Sequence, residues 1–185
     1  STKYALRHFM GQEEPKRVYS DNSLEIKKAI QTLKWSDRHD TSSPNNPREN
    51  GLVEQMMRVV KSGTRAVLLQ SGFDQSWWTE AMEYFCFARC ISDNVSEGKT
   101  AYHRRFGHDF DGLRIPFGNK IIYKPSSPAV QADMHFAGPD TLVGIFVGYK
   151  MSSGAKWDGG VQMVDWDELS QAEALNHTLC IYDEL

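Results

Sequence analysis

The stretch RVYSDNSLEIKKAIQTLK, residues 17–34, decides the fold class. Its first residues, RVYS, are typical of a short strand, and a turn at DNS follows. The apolar residues after the turn recur at the i, i+3, i+4, i+7 spacing of one helical face: Ile26, Ala29, Ile30 and Leu33. Strand, turn and amphipathic helix in this order predict an α/β protein. Asp21 is therefore expected at the carboxyl end of a strand, where open α/β sheets present ligand-binding and catalytic groups.

Helices are predicted on both sides of this stretch. Upstream, residues 4–9 resemble the end of a helix that Gly11 closes, and the start of that helix is expected outside this chain. Downstream, residues 36–51 are rich in turn formers and predict a polar loop. A helix is expected from Leu52 to Gly72, with its apolar face formed by Leu52, Met56, Val59, Val60 and Val67.

The next helix is predicted over residues 74–94, with Asp74 as its N-cap. Its buried face is expected to draw on Trp78, Met82, Phe85 and Cys86, and the spacing of Cys86 and Cys90 makes both of them core candidates. Beyond Glu97 three short β-type runs occur, near residues 120, 142 and 161. We therefore predict a division into residues 1–96 and a β-rich segment of residues 97–185.

Composition limits the class of protein. The chain has 185 residues, 40% of them hydrophobic and 24% charged, so it is long enough and apolar enough to bury a core. Its longest apolar run, LVGIFVGY, is too short to cross a bilayer, and three scattered cysteines fit a reducing compartment, so we expect an intracellular protein that spans no membrane.

The net charge of −3 is unevenly distributed. Residues 1–70 carry a charge of +4 and residues 71–185 a charge of −7, so binding to a polyanion is expected in the first part. The final residues, from 165 onward, contain six acids and no Lys or Arg, and this pattern predicts a solvated end.

Two carboxylates are candidate metal ligands. Asp21 ends a predicted strand, and Glu54 lies in the first turns of a predicted helix. Carboxylates from separate elements can share divalent metal ions, and phosphoryl transfer on nucleic acid uses such ions to hold the attacking and leaving oxygens. The simpler interpretation, which spacing alone favours, is that Asp21 caps a turn and Glu54 lies on a solvated helix face.

The helix that carries Glu54 also carries a row of cations. Arg58, Lys61 and Arg65 follow Glu54 by four, seven and eleven residues, so all four side chains fall on one helical stripe. Such a row could hold a phosphate backbone beside the carboxylate. The alternative is an ordinary i,i+4 ion pair between Glu54 and Arg58 on a surface helix.

Five ordered motifs resemble the integrase region of copia-type retrotransposon polyproteins. They are VYSDNSLE, then TSSPNNPRENGLVEQMMRVVKSGTRAVLLQSGFDQSWWTEAM, GKTAYHRRFG, IPFG and VGIFVGY. The resemblance implies the later part of a ribonuclease H-like α/β core, truncated at its N-terminus and followed by a small β-rich extension. It also implies DNA cutting and joining, with retroelement ends and target DNA as partners, a nuclear site of action and possible homo-oligomers on DNA.

The same resemblance assigns roles to particular residues. Asp21 and Glu54 match the second and third metal-binding carboxylates of the family. A mobile loop that touches DNA is matched by Ser43, Pro44, Pro47, Asn50 and Gly51, and we expect Arg48 beside it to contact DNA. Trp78 and Ala81 match a packing helix and are expected to be structural.

The family's first catalytic Asp has no counterpart here, because no Asp precedes Asp21. The family also usually has Gly at position 23 and a basic residue at position 55, where this chain has Ser23 and Gln55. We therefore expect Mg²⁺ or Mn²⁺ to be held only weakly, and the chain alone to be inactive. A non-catalytic nucleic-acid-binding or scaffolding remnant of a decayed element is the alternative.

Overall fold

A computed structural model describes residues 2–42, 47–125, 131, 134, 137–175 and 182–184, and of these the side chains of residues 47–50, 171–175 and 182–184 are not described. Helices and strands are mixed along the chain, which confirms the α/β class in its broad sense. The helices are α1 Thr2–Met10, α2 Leu24–Thr32, α3 Pro47–Ser71, α4 Trp78–Ser92, α5 Ala101–Phe106 and α6 Trp166–Leu175. The strands are β1 Val18–Ser20, β2 His39–Thr41, β3 Asn94–Ser96, β4 Lys99–Thr100, β5 Lys120–Tyr123, β6 Leu142–Ser152, β7 Lys156–Asp165 and β8 Tyr182–Glu184.

The chain divides into two compact units. The first comprises Ser1–Val59 with Met151–Asp158, and the second comprises Val60–Lys150 with Gly159–Leu185. The division at residue 96 that the sequence suggests stays a prediction. Within the described residues, no helix combines the length and the apolar character that crossing a membrane requires.

In the first unit, strands β1 and β2 pair in parallel, with Val18 opposite His39 and Ser20 opposite Thr41. Helix α2 connects them and buries Ala29 and Ile30. The predicted order of strand, turn and amphipathic helix is therefore confirmed.

Helix α1 ends at the predicted residue. Gly11 adopts a left-handed φ of +65°, and its N–H donates to the carbonyl of Arg7 at 2.8 Å. A residue at this position with positive φ is typically Gly, because a Cβ is disfavoured there. The prediction that Gly11 closes the helix is confirmed.

The prediction of a loop over residues 36–51 is wrong at both ends of that range. Residues Ser36–Arg38 form a 3-10 turn that leads into strand β2, and helix α3 begins at Pro47. The strand is polar, so only its parallel pairing with β1 selects it, and local sequence carries no signal of it. Pro47 suits a first helical turn because its fixed φ is helical and it has no N–H to leave unpaired.

The prediction that one apolar face of α3 is buried is also wrong over the first half of the helix. Leu52 is 77% exposed and Met56 is 48% exposed, and Val59 is exposed as well. In the second unit the same helix buries Thr64 and Leu68 instead. Gly72 ends the helix as predicted, with φ +77° and its N–H on the carbonyl of Leu68.

The second unit is built on a four-stranded sheet in the order β5-β6-β7-β8. β6 is the centre of the core, because all residues from 144 to 149 are buried. Helices α3 and α4 contribute to the same apolar cluster, whose buried members are Leu68, Ala81, Phe117, Val147 and Val164. The three β-type runs predicted beyond residue 97 are confirmed as β5, β6 and β7.

Helix α4 packs with a different face from the predicted one. Its buried residues are Ala81, Phe87 and Ile91, whereas Trp78 is 56% exposed. Asp74 does act as the cap, since its side chain accepts from the N–H of Ser76, but the element that it begins is a 3-10 turn, Gln75–Trp77, ahead of α4. Of the two residues assigned to a packing role, Ala81 is buried and Trp78 is not.

One further expectation is wrong. Cys86 and Cys90 lie at the surface and not in the core, although burial of both thiols raises their pKa by desolvation. The acidic end forms regular structure, because α6 begins at Trp166 and β8 pairs antiparallel with β7, placing Val161 opposite Glu184. The described side chains of residues 165–170 are exposed or partly exposed, and the solvated end stays a prediction for the rest.

Candidate nucleic-acid interface and carboxylate site

Asp21 follows β1 directly and lies at the carboxyl end of the parallel strand pair. Its Oδ1 accepts a hydrogen bond from the N–H of Ser23 at 3.1 Å, and its carbonyl accepts from the hydroxyl of Ser20 at 2.8 Å. This carboxylate therefore closes the turn that leads into α2, which is the capping role that the sequence allowed. A carboxylate has several acceptor sites, so the bond uses only part of its capacity.

Asn22 ties the two strand ends together. Its amide Nδ2 donates to the carbonyl of Ser42 at 2.8 Å, and its Oδ1 accepts from the ammonium of Lys27 at 2.7 Å. The N–H of Ser42 in turn donates to the carbonyl of Ser20 at 3.0 Å. These bonds hold the turn that carries Asp21 against the end of β2.

His39 lies on the same strand pair and was not singled out by the sequence. Its Nε2 is 2.9 Å from the hydroxyl oxygen of Ser20. Because that hydroxyl donates to the carbonyl of Asp21, the imidazole nitrogen is the donor of this bond, and we assign the Nε2–H tautomer on that ground. His39 and Ser20 therefore brace the backbone of the carboxylate turn.

Glu54 lies in the first half of α3, in the same compact unit as Asp21. Its side chain is exposed, and no hydrogen bond or ion pair joins it to Asp21. Within the described part of the chain, no three His, Cys, Asp or Glu side chains come together as a metal-binding group. Two carboxylates do not make the donor set that a resident pair of catalytic metal ions needs, so no reaction step is assigned to a metal here.

The predicted cation row lies on the solvent side of α3. Arg58, Lys61 and Arg65 are all exposed, and one continuous helix carries them. No ion pair joins Glu54 to Arg58, although their spacing would allow one. Exposed cations at this spacing are available to phosphate oxygens.

Arg48 and Asn50 lie in the first turn of α3, and the orientation of their side chains is outside the described structure. Ser43 and Pro44 lie outside the described residues. Pro47 and Gly51 are helical, so the later part of the predicted mobile loop is wrong, since it forms the start of a helix. The contacts predicted between Arg48, Asn50 and DNA stay predictions.

Comparison with known proteins finds no match for this chain among family models, curated proteins or solved structures.

Proposed function

We propose that this chain is the later part of a copia-type retrotransposon integrase, built on a ribonuclease H-like core with a β-rich extension, and that it binds DNA. The observation that carries the proposal is the parallel pair β1 and β2, connected by α2, with Asp21 at its carboxyl edge and Glu54 in the same compact unit. This edge is where open α/β folds bind their ligands. A DNA partner of this class implies a nuclear site of action.

The DNA contacts are assigned to the exposed cations of α3. Each of Arg58, Lys61 and Arg65 can neutralise one phosphate, and each contact releases a condensed counterion. Contacts of this kind fix the position of a duplex and carry no base information. Binding should therefore be independent of sequence and weaken steeply with salt.

Catalysis by this chain alone is not part of the proposal. DNA cutting and joining requires attack on a phosphodiester by water or by a 3′ hydroxyl, and the class uses three carboxylates to hold the ions that stabilise the transition state. Asp21 and Glu54 supply two, and one oxygen of Asp21 already closes a turn. What these residues offer is weak attraction for Mg²⁺ or Mn²⁺, which keeps most of its water.

A second function is favoured by that same turn. A chain in which Asp21 serves as a structural cap can persist as a nucleic-acid-binding or scaffolding remnant without any chemistry. This alternative and the integrase fragment share the DNA surface on α3. They differ in whether Asp21 and Glu54 act together on a metal.

Salt dependence of DNA binding tests the surface. Binding of a fluorescent 20-base-pair duplex is measured by anisotropy from 50 to 300 mM salt, for the native chain and for the triple variant Arg58→Gln, Lys61→Gln, Arg65→Gln. The slope of log K against log salt should decrease in magnitude by up to about 2.7, since each lost phosphate contact removes about 0.9.

A matched control replaces three other exposed cations with Gln: Lys99, Arg104 and Lys120. This control should leave the slope unchanged. An unchanged slope in the α3 variant, or an equal decrease in the control, would place DNA binding elsewhere and contradict the assignment.

Metal titration by calorimetry tests the carboxylates. We expect Mg²⁺ binding in the millimolar range, reduced further in Asp21→Asn and in Glu54→Gln. Tight, submicromolar binding that is lost in Asp21→Asn would reveal a complete site and contradict the two-carboxylate account.

A further inference from the structure

A concavity of about 530 Å³ lies in the first compact unit, between α1 and the turn that joins β6 to β7. It is open to solvent over most of its extent, so it is a surface depression and not an enclosed cavity. Tyr4 is 70% exposed, so its aromatic ring is accessible from solvent. The lining residues are Tyr4, Ala5, Arg7, His8 and Ser153.

Backbone contacts fix the two walls of this concavity. The N–H of Gly154 donates to the carbonyl of His8 at 2.7 Å, and the hydroxyl of Ser153 approaches the same carbonyl at 3.4 Å. A Cβ built on Gly11 would lie 2.9 Å from the Cα of Gly154, so helix end and turn are in direct contact. These contacts hold the end of α1 against the turn between β6 and β7.

The exposed surface of the lining is mostly apolar, and Tyr4 supplies an aromatic ring to it. Arg7 and His8 follow Tyr4 by three and four residues, which places them on its side of the helix. The ammonium of Lys3 lies 5.5 Å from the centre of the Tyr4 ring. Among the described residues, no Asp or Glu lines the concavity, and Arg7 contributes a fixed positive charge that can attract an anion.

We infer that this concavity binds one nucleotide of a single-stranded nucleic acid, with the base stacked on Tyr4 and the phosphate held by the guanidinium of Arg7. An exposed aromatic ring beside cations is the arrangement by which single strands are bound without sequence preference. The inference is independent of the duplex surface on α3. Ser153 lines the same concavity, with its hydroxyl on the carbonyl of His8.

The simpler explanation for Arg7 is that it lies in the last turn of α1, where positive charge offsets the helix dipole. That role makes no use of the ring of Tyr4. Substitutions at Tyr4 therefore separate the two explanations.

The test measures binding of fluorescein-labelled dT12 by anisotropy and uses thymidine monophosphate as a competitor. Tyr4→Leu should weaken dT12 binding about 5- to 150-fold, the factor expected for one lost base stack. Tyr4→Phe should retain the affinity, since it keeps the ring. Arg7→Gln should weaken binding and decrease the salt slope by about 0.7.

Trp78→Leu is the matched control, because Trp78 is an exposed aromatic residue of the second unit. It should leave dT12 binding unchanged, and circular dichroism should show that every variant is folded. If thymidine monophosphate displaces dT12 from the native chain and not from Tyr4→Leu, the site binds a single nucleotide. If dT12 binding depends on Tyr4 but thymidine monophosphate does not displace it, the ligand is the strand.

Equal dT12 affinity in the native chain and Tyr4→Leu would overturn the inference, as would an equal loss in Trp78→Leu. In the triple variant Arg58→Gln, Lys61→Gln, Arg65→Gln, the further substitution Tyr4→Leu should still weaken dT12 binding. Failure of the duplex surface and failure of this site are therefore distinguishable.

Discussion

The parallel pair β1 and β2 of the first unit and the antiparallel sheet of the second unit are held together by different forces. The first consists of three-residue strands whose ends are joined by side-chain hydrogen bonds, from Asn22 to Ser42 and from His39 to Ser20. The second is centred on a strand that is buried for six consecutive residues, 144 to 149. Polar contacts hold the strand ends beside Asp21, whereas apolar burial dominates the second unit, which also carries Lys61 and Arg65 of the candidate DNA surface.

Aromatic packing gives the second unit its core. The ring of Tyr149 contacts Phe87 at 4.8 Å and Phe146 at 5.0 Å between centroids. Its hydroxyl donates to the carbonyl of Leu113 at 2.7 Å and accepts from the N–H of Ile115 at 3.0 Å. A ring whose polar end is satisfied in this way can be buried at little cost.

The largest effect is expected from removing the ring at the centre of this sheet. Phe146 is 0% exposed, so Phe146→Ala should cost about 3–5 kcal/mol of unfolding free energy, through lost transfer energy and the cavity left behind. Urea denaturation measures it. The control Ile122→Ala, at a side chain 72% exposed, should change stability by less than about 1 kcal/mol. Equal effects would contradict the proposed location of the core.

Two glycines of α3 distinguish its packed half from its exposed half. A Cβ on Gly63 would lie 2.0 Å from the ring of Phe85, so Gly63→Ala should destabilise the protein by about 1–3 kcal/mol. A Cβ on Gly51 would meet nothing within 4 Å, so Gly51→Ala should stabilise it by up to about 1 kcal/mol through helix propensity. Thermal unfolding measures the change in stability of each variant. Changes of the same sign in Gly63→Ala and Gly51→Ala would contradict the division of α3 into a packed and an exposed half.

A smaller effect is expected at the strand end that carries the candidate site. Asn22→Ala removes the bond to Ser42 and should cost about 0.5–1.5 kcal/mol. Asp21→Asn retains an oxygen that can accept from Ser23 and should cost less than about 0.5 kcal/mol. Urea denaturation curves measure the unfolding free energy of both variants. A larger loss of unfolding free energy in Asp21→Asn than in Asn22→Ala would show that the charge of Asp21 itself stabilises the turn.

The smallest effect concerns the acid dependence of the cap at Asp74. Hydrogen bonds from the hydroxyl and then the N–H of Ser76 lower the pKa of Asp74. A carboxyl whose pKa is lower in the folded state stabilises the fold above its ordinary pKa, and this contribution is lost as the pH falls through the folded-state value. The stability difference between the native chain and Asp74→Asn should therefore shrink as the pH falls below the ordinary Asp pKa of about 3.9. A difference that grows on acidification would contradict this sign.

Local patterns in the sequence predicted much of the fold. The strand before Asp21, helix α2 and the strands β5, β6 and β7 were found because their apolar periodicity is local. β2 was missed because it is polar and its pairing with β1 defines it. The buried face of α4 was misassigned because its apolar residues surround the helix, and only packing against the sheet selects Ala81, Phe87 and Ile91.

Motif and spacing indicate the residues of the candidate site, which are Asp21, Glu54 and the cations of α3, and their metal and DNA roles stay predictions. The bracing of the turn by His39, Asn22 and Ser42 was not predictable, because these contacts join residues 19 and 20 positions apart. The one available signal was the amide of Asn22, next to a carboxylate at a strand end.

An electrophoretic assay on a labelled oligonucleotide duplex with Mn²⁺, which resolves bound from joined DNA, tests the central claim most directly. The account predicts salt-sensitive binding and no joined product, for the native chain and for Glu54→Gln alike. Joined product that forms with the native chain and disappears in Glu54→Gln would contradict the incomplete carboxylate set, and the absence of any bound DNA at 50 mM salt would contradict the DNA-binding role itself.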